Sequence, residues 1–351
     1  MSTFAVTAAS VGELDAAAEQ AAADHQDRLT KPRGALGRLE SVGIRLAAIA
    51  GTNPPPLPSP AAVAVFASDH GVHAQGVTPW PQEVTAQMVA NFVGGGAAIN
   101  VLARQMGASV TVVDVGVASE LDDAPGLLRR KVRHGSADLA EGPALTADEV
   151  EQALDIGVEV ANQLIDGGAG ALVTGEMGIA NTTPAAAVIA ALTHRNPAEV
   201  TGRGTGIDDE TLARKIAVIE RALSRLDTSA DARTVLAEVG GLEIAALAGF
   251  VVGAASRRVP VVVDGVIAGA ALLAAIDLCP NALAFTFAGH RSTEPGATAV
   301  LSHLDVEPLL DLGMRLGEGS GACLALPILE ASARVLGEMA TFDSAGVADK
   351  T

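Results

Sequence analysis

The sequence has 351 residues, no tyrosine and a single tryptophan, and aromatic residues make up only 2% of it. Proteins that bind single-stranded nucleic acid without sequence preference stack the bases on aromatic side chains. So few rings argue against that class of protein. Hydrophobic residues nevertheless make up 49% of the chain, so its core must be built from Ala, Val, Leu and Ile.

Positive charge is also scarce. Lys and Arg number 23 against 41 Asp and Glu, which gives a formal net charge of -18. A chain with this balance repels phosphate backbones and anionic lipids, so we expect neither nucleic acid nor a membrane as its partner. A small phosphorylated ligand stays possible, because the backbone N–H groups at a helix N-terminus bind phosphate without net positive charge.

Cysteine occurs only at Cys279 and Cys323, too few for a disulfide framework and typical of a reducing compartment. The N-terminus lacks the basic start and apolar run of a signal peptide. The most apolar stretches, around 244–256 and 265–276, are too short to span a membrane. These features together predict a cytoplasmic protein.

Short β-branched runs alternate with longer helical patterns, which indicates an α/β fold with a mostly parallel sheet and helices on both faces. The predicted strands are nearly uniformly apolar, as expected of strands that are buried on both faces. They are 61–68, 109–117, 170–174, 259–264 and 282–287. The predicted helices are 82–106, 147–166, 184–194, 209–226, 242–256, 265–277 and 321–337.

Ligands of open α/β sheets bind beyond the C-terminal ends of the strands, and unusual residues of this chain cluster at such ends. His70 and His73 follow the first strand and could ligate a metal. No third ligand stands at a recognisable spacing, so a polar turn is the better interpretation and no metal site is predicted. Gln87, on the next helix, is either a solvated side chain or a hydrogen-bonding group of a pocket.

The segment GEMGIANTTP follows the strand at 170–174. Asn181, Thr182 and Thr183 stand at the start of a helix, where their amide and hydroxyl groups suit a phosphate. Simple capping of the helix by Thr183 is the alternative. Capping does not explain why a carboxylate, Glu176, stands at the rim of a buried strand, so the segment favours a functional site.

The loop TGRGTG at 201–206 precedes a helix that carries Lys215. Glycines at a helix start form an anion-binding nest, and the lysine adds positive charge about a turn further in. The loop is neither a Walker loop nor a dinucleotide fingerprint, since it lacks Gly-Lys-Ser/Thr and no strand directly precedes it. Two phosphate cradles at one sheet edge suit a nucleotide.

Two further motifs lie towards the C-terminus. In GHRSTE (289–294), Arg291 and the hydroxyls either complete a phosphate or carboxylate site or cap a helix through Ser292 or Thr293. In RLGEGSGA (315–322), Glu318 stands among three glycines before an apolar helix. A glutamate there is favourable near the helix dipole, but glycine on both sides favours a catalytic carboxylate.

Seven motifs occur together in one order. With them the chain resembles the nicotinate-nucleotide:5,6-dimethylbenzimidazole phosphoribosyltransferase family, which makes the lower-ligand nucleotide of cobalamin, from about residue 10 to about 340. The resemblance implies a Rossmann-like large domain over 56–304, a small helical domain from 1–55 and 305–351, and a homodimer. The motifs are LTKPRGALGRLE (29–40), SDHGV with PQEVTAQMV (68–89), GEMGIANTTPAA (175–186), TGRGTG (201–206), VVVDG (261–265), GHRSTEPG (289–296) and RLGEGSGA (315–322).

The resemblance also implies residue roles. Glu318 matches the family's general base, and we assign Glu176, as a hypothesis, to stabilising positive charge on the ribose. The base-pocket wall would include Gln87, Thr78, Pro79 and Trp80. The ribose-phosphate side would include Asn181, Thr182, Thr183, Gly204, Thr205, Gly206 and Lys215, and Met177, Gly178, Ser292 and Leu316 complete the expected substrate-binding residues.

Three positions depart from the family pattern. Ala180 stands where glycine is usual and Ala35 where serine is usual. Trp80 stands where a smaller ring is common, and it touches the expected base pocket. This last departure therefore bears on base specificity and not on the chemistry.

The implied reaction needs no metal, no cofactor and no nucleophilic side chain. The pyridinium of nicotinate mononucleotide leaves as a neutral ring, so no general acid is required. The benzimidazole attacks the anomeric carbon through one nitrogen, and one carboxylate takes the proton from the other nitrogen. Attack opposite the leaving base inverts the anomeric carbon and gives α-ribazole 5'-phosphate and nicotinate. A second carboxylate would stabilise the oxocarbenium charge.

Other functions remain open at the level of sequence. The same chemistry could serve adenine, another benzimidazole or a phenol as the acceptor. A nucleotide-binding regulator without turnover is a second alternative, although the intact Glu318 argues against it. A nicotinamide-dependent dehydrogenase fits worse, because Ser-Asp-His stands where its Gly-rich turn would follow the first strand.

Overall fold

The sheet of the protein has six strands, all parallel, in the order β3-β2-β1-β4-β5-β6. We describe residues 2–348 of a computed structural model. The strand order reverses between β1 and β4, the point at which ligands bind in such sheets. The strands are β1 (Ala61–Ser68), β2 (Ser109–Gly116), β3 (Leu127–Arg129), β4 (Ala171–Met177), β5 (Val261–Val263) and β6 (Thr286–Ala288).

Fifteen α-helices in the described part of the chain connect and cover the strands, and this α/β architecture confirms the predicted fold class. They are α1 (Thr3–Ser10), α2 (Ala16–Arg28), α3 (Arg38–Ala50), α4 (Val84–Val93), α5 (Ala98–Met106), α6 (Ala147–Asp166), α7 (Thr182–Thr193), α8 (Pro197–Val200), α9 (Asp209–Leu223), α10 (Ala232–Val239), α11 (Leu242–Ser256), α12 (Val266–Leu278), α13 (Pro295–His303), α14 (Ser320–Glu338) and α15 (Phe342–Ala345).

The core is built from aliphatic side chains, as the shortage of aromatic residues requires. Every residue of β1 is buried, and β1 lies between β2 and β4. Helix α11 packs on α6 so closely that a Cβ at Gly157 or Gly249 would collide with the backbone of the other helix. Small residues at these contacts let the two helices approach closely, so the interior is well packed without large aromatic rings.

The largest difference from the prediction concerns the helix expected over 82–106. The chain forms two helices there, because it leaves the helical path at Gly94 to Gly96, where Gly95 has φ +77°. Glycine favours such a break, since it adopts positive φ without steric cost. The break exposes the backbone N–H groups at the start of α5, which become part of the candidate site.

Three smaller corrections concern strand and helix ends. The strand predicted over 282–287 is mostly a 3-10 helix, Pro280–Phe285, and only 286–288 pairs with β5. Strand β3 was not predicted, because three residues at a sheet edge carry too little pattern. Helix α7 begins at Thr182, and the buried Thr183 makes no capping hydrogen bond.

The two chain ends meet at one side of the sheet. Ala22 of α2, Ala47 of α3 and Leu336 of α14 form a small buried cluster, and Leu29 bridges to Thr341. Helix α1 packs elsewhere, on α6 and α11. The division into 1–55 with 305–351 and 56–304 stays a prediction, and its outermost residues, 1 and 349–351, lie outside the described part of the chain.

Candidate active site

A cavity of about 310 Å³ lies beyond the C-terminal ends of β4, β5 and β6. A wider groove of about 940 Å³ between α1, β3 and α6 contains no residue of the predicted site. One wall of the smaller cavity is apolar, formed by Trp80, Val84, Met88, Met177, Ile179, Val266, Ile267 and Leu316. The opposite side is polar and includes Glu176, Asn181, Thr182, Ser292, Glu294, Arg315 and Glu318.

Glu318 is held in an uncommon backbone conformation. Its φ is +64°, between Gly317 and Gly319, whose φ values are also positive. Its buried carboxylate accepts a hydrogen bond of 3.1 Å from the Ile99 N–H at the start of α5. Burial raises the pKa of Glu318, the hydrogen bond opposes the rise, and the negative charge of Asp264 adds to it. A carboxylate with a raised pKa is a stronger base.

Glu176 lies at the end of β4, next to Glu318. A Cβ at Gly317 would collide with the Glu176 carboxylate, so only glycine allows this approach. Asn181 donates a hydrogen bond to Glu176 Oε2. Burial, together with the negative charges of Asp264 and Glu243, raises the pKa of Glu176 to about 8. Glu176 is therefore mostly protonated at neutral pH in the ligand-free protein.

The loop that carries Glu318 is attached to the end of β5 through Asp264. The Asp264 carboxylate accepts hydrogen bonds from the N–H groups of Gly319, at 3.2 Å, and Ala322, at 2.9 Å. His290 lies beside it, with Nε2 3.3 Å from Asp264 Oδ1, and also lines the cavity. Both side chains are buried.

The two predicted phosphate cradles are adjacent. Lys215 is buried, and its Nζ donates to Thr182 Oγ1 at 2.7 Å and to the Gly202 carbonyl at 3.2 Å. Glu294 accepts a hydrogen bond of 3.0 Å from the Gly204 N–H. Burial lowers the pKa of Lys215 to about 8, and the charge of Glu294 opposes this.

The structure brings most of the predicted site residues to the cavity. Those that line it are Trp80, Glu176, Met177, Gly178, Asn181, Thr182, Gly204, Thr205, Ser292, Leu316 and Glu318. Thr78, Pro79, Gln87, Thr183, Gly206 and Lys215 are outside its lining. Gln87 is exposed on α4, because Val84 and Met88, four residues apart, form the face that points into the cavity. Lys215 lies behind Thr182, and Thr183 is buried in α7.

Several functional residues were missed by the sequence analysis. Val84, Met88, Ile179 and the apolar start of α12 look like ordinary core residues, so no pattern distinguishes them. Asp264 and His290 belong to the recognised motifs VVVDG and GHRSTEPG, and their positions after two strands were an unused signal. Neither Ser292 nor Thr293 caps a helix, since α13 begins at Pro295 without a side-chain cap.

The two histidines after β1 have other partners. His70 is buried with Nε2 3.1 Å from Glu243 Oε1, and a ring nitrogen of His73 lies 2.8 Å from the Trp80 carbonyl. Burial lowers the pKa of His70, but Glu243 and Asp69 outweigh it and the net shift is upward. Within residues 2–348, no three potential metal-ligating side chains of His, Cys, Asp or Glu are grouped together.

Comparison with known proteins connects this site to one family. The family described as "Phosphoribosyltransferase" matches residues 11–347. The chain is 57% identical to the nicotinate-nucleotide–dimethylbenzimidazole phosphoribosyltransferase of Salinispora tropica, an alignment that covers 98% of this chain and 99% of the relative. It is 58% identical to the enzyme of that name from Chloroflexus aurantiacus, with 97% of each chain covered.

A solved structure shares the whole fold. It is the crystal structure of a nicotinate-nucleotide–dimethylbenzimidazole phosphoribosyltransferase from Thermus thermophilus, which superposes with a TM-score of 0.92 at 49% identity. The match covers 96% of this chain and all of that chain. The similarity therefore extends over nearly the whole chain.

Proposed function

The chain belongs to the nicotinate-nucleotide–dimethylbenzimidazole phosphoribosyltransferase family, and from this membership we propose how its cavity performs the reaction. The enzyme transfers the phosphoribosyl group of nicotinate mononucleotide to 5,6-dimethylbenzimidazole, and the products are α-ribazole 5'-phosphate and nicotinate. One observation carries the proposal: Glu318, the apolar wall and residues of the predicted phosphate cradles line a single cavity.

Glu318 acts as the general base. The Ile99 N–H fixes one carboxylate oxygen, which leaves the other free to accept the proton that the attacking benzimidazole loses. Its raised pKa favours this transfer near neutral pH. The nicotinate ring leaves without a proton, so the site needs no general acid on that side.

Glu176 stabilises positive charge on the ribose. In the ligand-free protein it is mostly protonated at neutral pH, because burial and neighbouring carboxylates raise its pKa. The pyridinium of the bound nucleotide brings a positive charge into the cavity and favours the ionised form. The carboxylate formed in this way then faces the charge that develops at the anomeric carbon.

The phosphate binds at the far end of the cavity. Gly204, Thr205 and Thr182 line that end, and Lys215 places its positive charge directly behind Thr182. In the ligand-free protein the Gly204 N–H donates to Glu294. The hydroxyls of Thr182 and Thr205 and the buried ammonium of Lys215 are therefore the groups that attract the phosphate. The ribose then spans the distance to the two catalytic glutamates.

The apolar wall receives the acceptor base. Trp80, Val84 and Met88 contribute rings and alkyl groups to it, and polar partners for a base are few on that side. A ring with polar edges, such as adenine, would leave hydrogen-bonding groups unpaired against this wall. We therefore propose that the site prefers dimethylbenzimidazole to adenine.

We also propose that the protein is a cytoplasmic homodimer. The resemblance of the sequence to the family supports the dimer. Val101, Leu312 and Leu316 support it too, because each of these large apolar side chains is more than half exposed in the single chain. The two cysteines, both free, are consistent with a reducing compartment.

The test is chromatography of the purified protein incubated with nicotinate mononucleotide and one acceptor at a time. We expect nicotinate and α-ribazole 5'-phosphate in equal amounts with dimethylbenzimidazole, and less product with adenine or phenol. Product with adenine alone would preserve the mechanism and contradict the acceptor preference. A protein that binds the nucleotide but releases no nicotinate with any acceptor would contradict the proposed mechanism.

A further inference from the structure

We propose that Asp264 and His290 form a positioning pair that holds the general base Glu318 in its working orientation. The pair does not contact the reacting atoms in this scheme. It acts on the loop that carries the base. This inference rests on the role of Glu318 under the proposed function, and four structural observations lead to it.

The first observation is that Glu318 requires an external constraint. A non-glycine residue at φ +64° is in the left-handed region, which costs roughly 1–2 kcal/mol. Such a conformation persists only where the surroundings enforce it, and it is found mainly at functional sites. The two residues that flank Glu318 are glycines, which are flexible and cannot provide that constraint by themselves.

The second observation is that Asp264 supplies it. One carboxylate oxygen accepts the N–H of Gly319, the residue after Glu318. The other accepts the N–H of Ala322 in the first turn of α14. The carboxylate thus takes the place of a helix cap, since the N-cap residue Gly319 has no side chain. Asp264 is itself fixed, because its own N–H donates to Thr174 Oγ1 at 3.0 Å.

The third observation concerns His290. Its Nε2 lies 3.3 Å from Asp264 Oδ1, close enough for an ion pair with the carboxylate. The ring also packs against the backbone of α14, since a Cβ at Gly321 would collide with it. His290 therefore sets the position of the Asp264 carboxylate and at the same time supports the start of α14.

The fourth observation is electrostatic. The ionisable side chains near Glu318 are Glu176 at the end of β4, Asp264 after β5 and His290 beside Asp264. Glu294 and Arg315 line the same cavity, and α5 presents the Ile99 N–H. The negative charge of Asp264 raises the pKa of Glu318. Asp264 should thus affect both the orientation of the base and its proton affinity.

The test is Asp264→Asn. Its amide NH₂ takes the place of one accepting oxygen and points at a backbone N–H, so one of the two hydrogen bonds is lost. We expect kcat to fall on the order of 10²-fold while KM for nicotinate mononucleotide stays within a few-fold, because misplacement of a catalytic group by about 1 Å costs that much. The acidic limb of the kcat profile should move to lower pH, since loss of the negative charge lowers the pKa of Glu318.

Asp114→Asn is the matched control. Asp114 is also a buried aspartate whose carboxylate accepts a backbone N–H, that of Val117, but it lies on β2, away from the Glu318 loop. Its replacement should lower stability and leave the pH profile unchanged. An Asp264→Asn profile with an unshifted acidic limb, or a loss of kcat equal to that of the control, would overturn the proposal.

His290→Gln and His290→Leu separate the roles within the pair. Glutamine can place an N–H near the position of Nε2 and should retain more activity than leucine. Hydrogen exchange of the peptide that contains Gly319 and Ala322 reports loop order without turnover, and it should accelerate in Asp264→Asn. An unchanged exchange rate in Asp264→Asn would contradict the proposed positioning role of Asp264 and His290. If the wild-type enzyme proves inactive but exchange still accelerates in the variant, only the proposed function is contradicted.

Discussion

At the scale of single residues, the carboxylates of Glu318 and Glu176 lie on either side of one glycine but differ in surroundings. Glu318 accepts a backbone N–H, whereas Glu176 meets an amide side chain and two nearby acidic groups. These surroundings push both pKa values upward, and Glu176 reaches about 8. Two carboxylates with different environments can divide the tasks of accepting a proton and stabilising charge.

Glu318→Gln should lose nearly all turnover. Glutamine can still accept the Ile99 N–H, so the loop should keep its shape, but it cannot take the benzimidazole proton. Removal of a general base costs about 10² to 10⁴-fold in rate. Calorimetry should show that nicotinate mononucleotide still binds. Glu199→Gln, an exposed change in α8, is the control, and wild-type rates in the Glu318 variant would rule out the base assignment.

Binding of nicotinate mononucleotide at pH 7 should release a proton from Glu176. A pKa of about 8 leaves roughly nine in ten of these side chains protonated in the free enzyme, and the pyridinium charge favours ionisation. Calorimetry in two buffers with different ionisation enthalpies measures the release. Glu176→Gln should abolish it and lower kcat. If the wild-type enzyme releases no proton, Glu176 does not ionise on binding.

Sequence alone identified the residues whose neighbours are unusual. Glu318 stood out because glycines stand on both sides of it, and Glu176 stood out because a carboxylate is unusual at the rim of a buried strand. Asp264 and the cavity-lining Met88 did not stand out. Asp264 acts across more than fifty residues of chain to reach Gly319, and Met88 looks like any apolar helix residue, so both depended on tertiary contacts.

At the scale of elements, the long buried strands and helices were predictable and the irregular pieces were not. Helices α6 and α11 have the predicted bounds, 147–166 and 242–256, and a capping box of Thr146 with Glu149 begins α6. The gap between α4 and α5 was missed because both parts have helical periodicity. This gap is nevertheless important for the site, because it creates the start of α5, where the Ile99 N–H donates a hydrogen bond to Glu318.

Gly317→Ala should impair catalysis more than Gly313→Ala does. Both glycines have positive φ, so alanine strains the backbone at each, by roughly 1–2 kcal/mol. A Cβ at Gly313 meets open space, whereas one at Gly317 collides with the Glu176 carboxylate. Thermal unfolding should show similar losses of stability, but only Gly317→Ala should lower kcat strongly. Equal rates would mean that the two glutamates need not approach across Gly317.

At the scale of the whole molecule, α14 ties the site to the rest of the fold. Its start carries the Glu318 loop, and its length packs on α3, α5 and strands β4 and β5. It is long and apolar enough to cross a membrane, as is the run from Val84 to Met106, but more than half of the apolar window in α14 is buried in the protein. Its apolar side chains therefore serve the core.

Two exposed apolar side chains near Glu318 connect the site to the proposed dimer. Val101 lies on α5, two residues after the N–H that binds Glu318, and Leu316 lies two residues before Glu318. Both side chains are more than half exposed in the single chain. A second copy that covers this face would exclude water from the cavity and hold α5 against the base.

Light scattering after size exclusion should therefore give twice the mass of one chain. Val101→Asp should shift the protein towards the monomer, because a carboxylate buried in an interface is costly. Val6→Asp is the matched control, since Val6 is equally exposed on α1, a helix that lies on α6 and α11. If Val101 faces the partner, its variant should also lose activity in step with dissociation. A dimer that survives Val101→Asp would place the interface elsewhere, and a wild-type monomer would remove the dimer from the proposal.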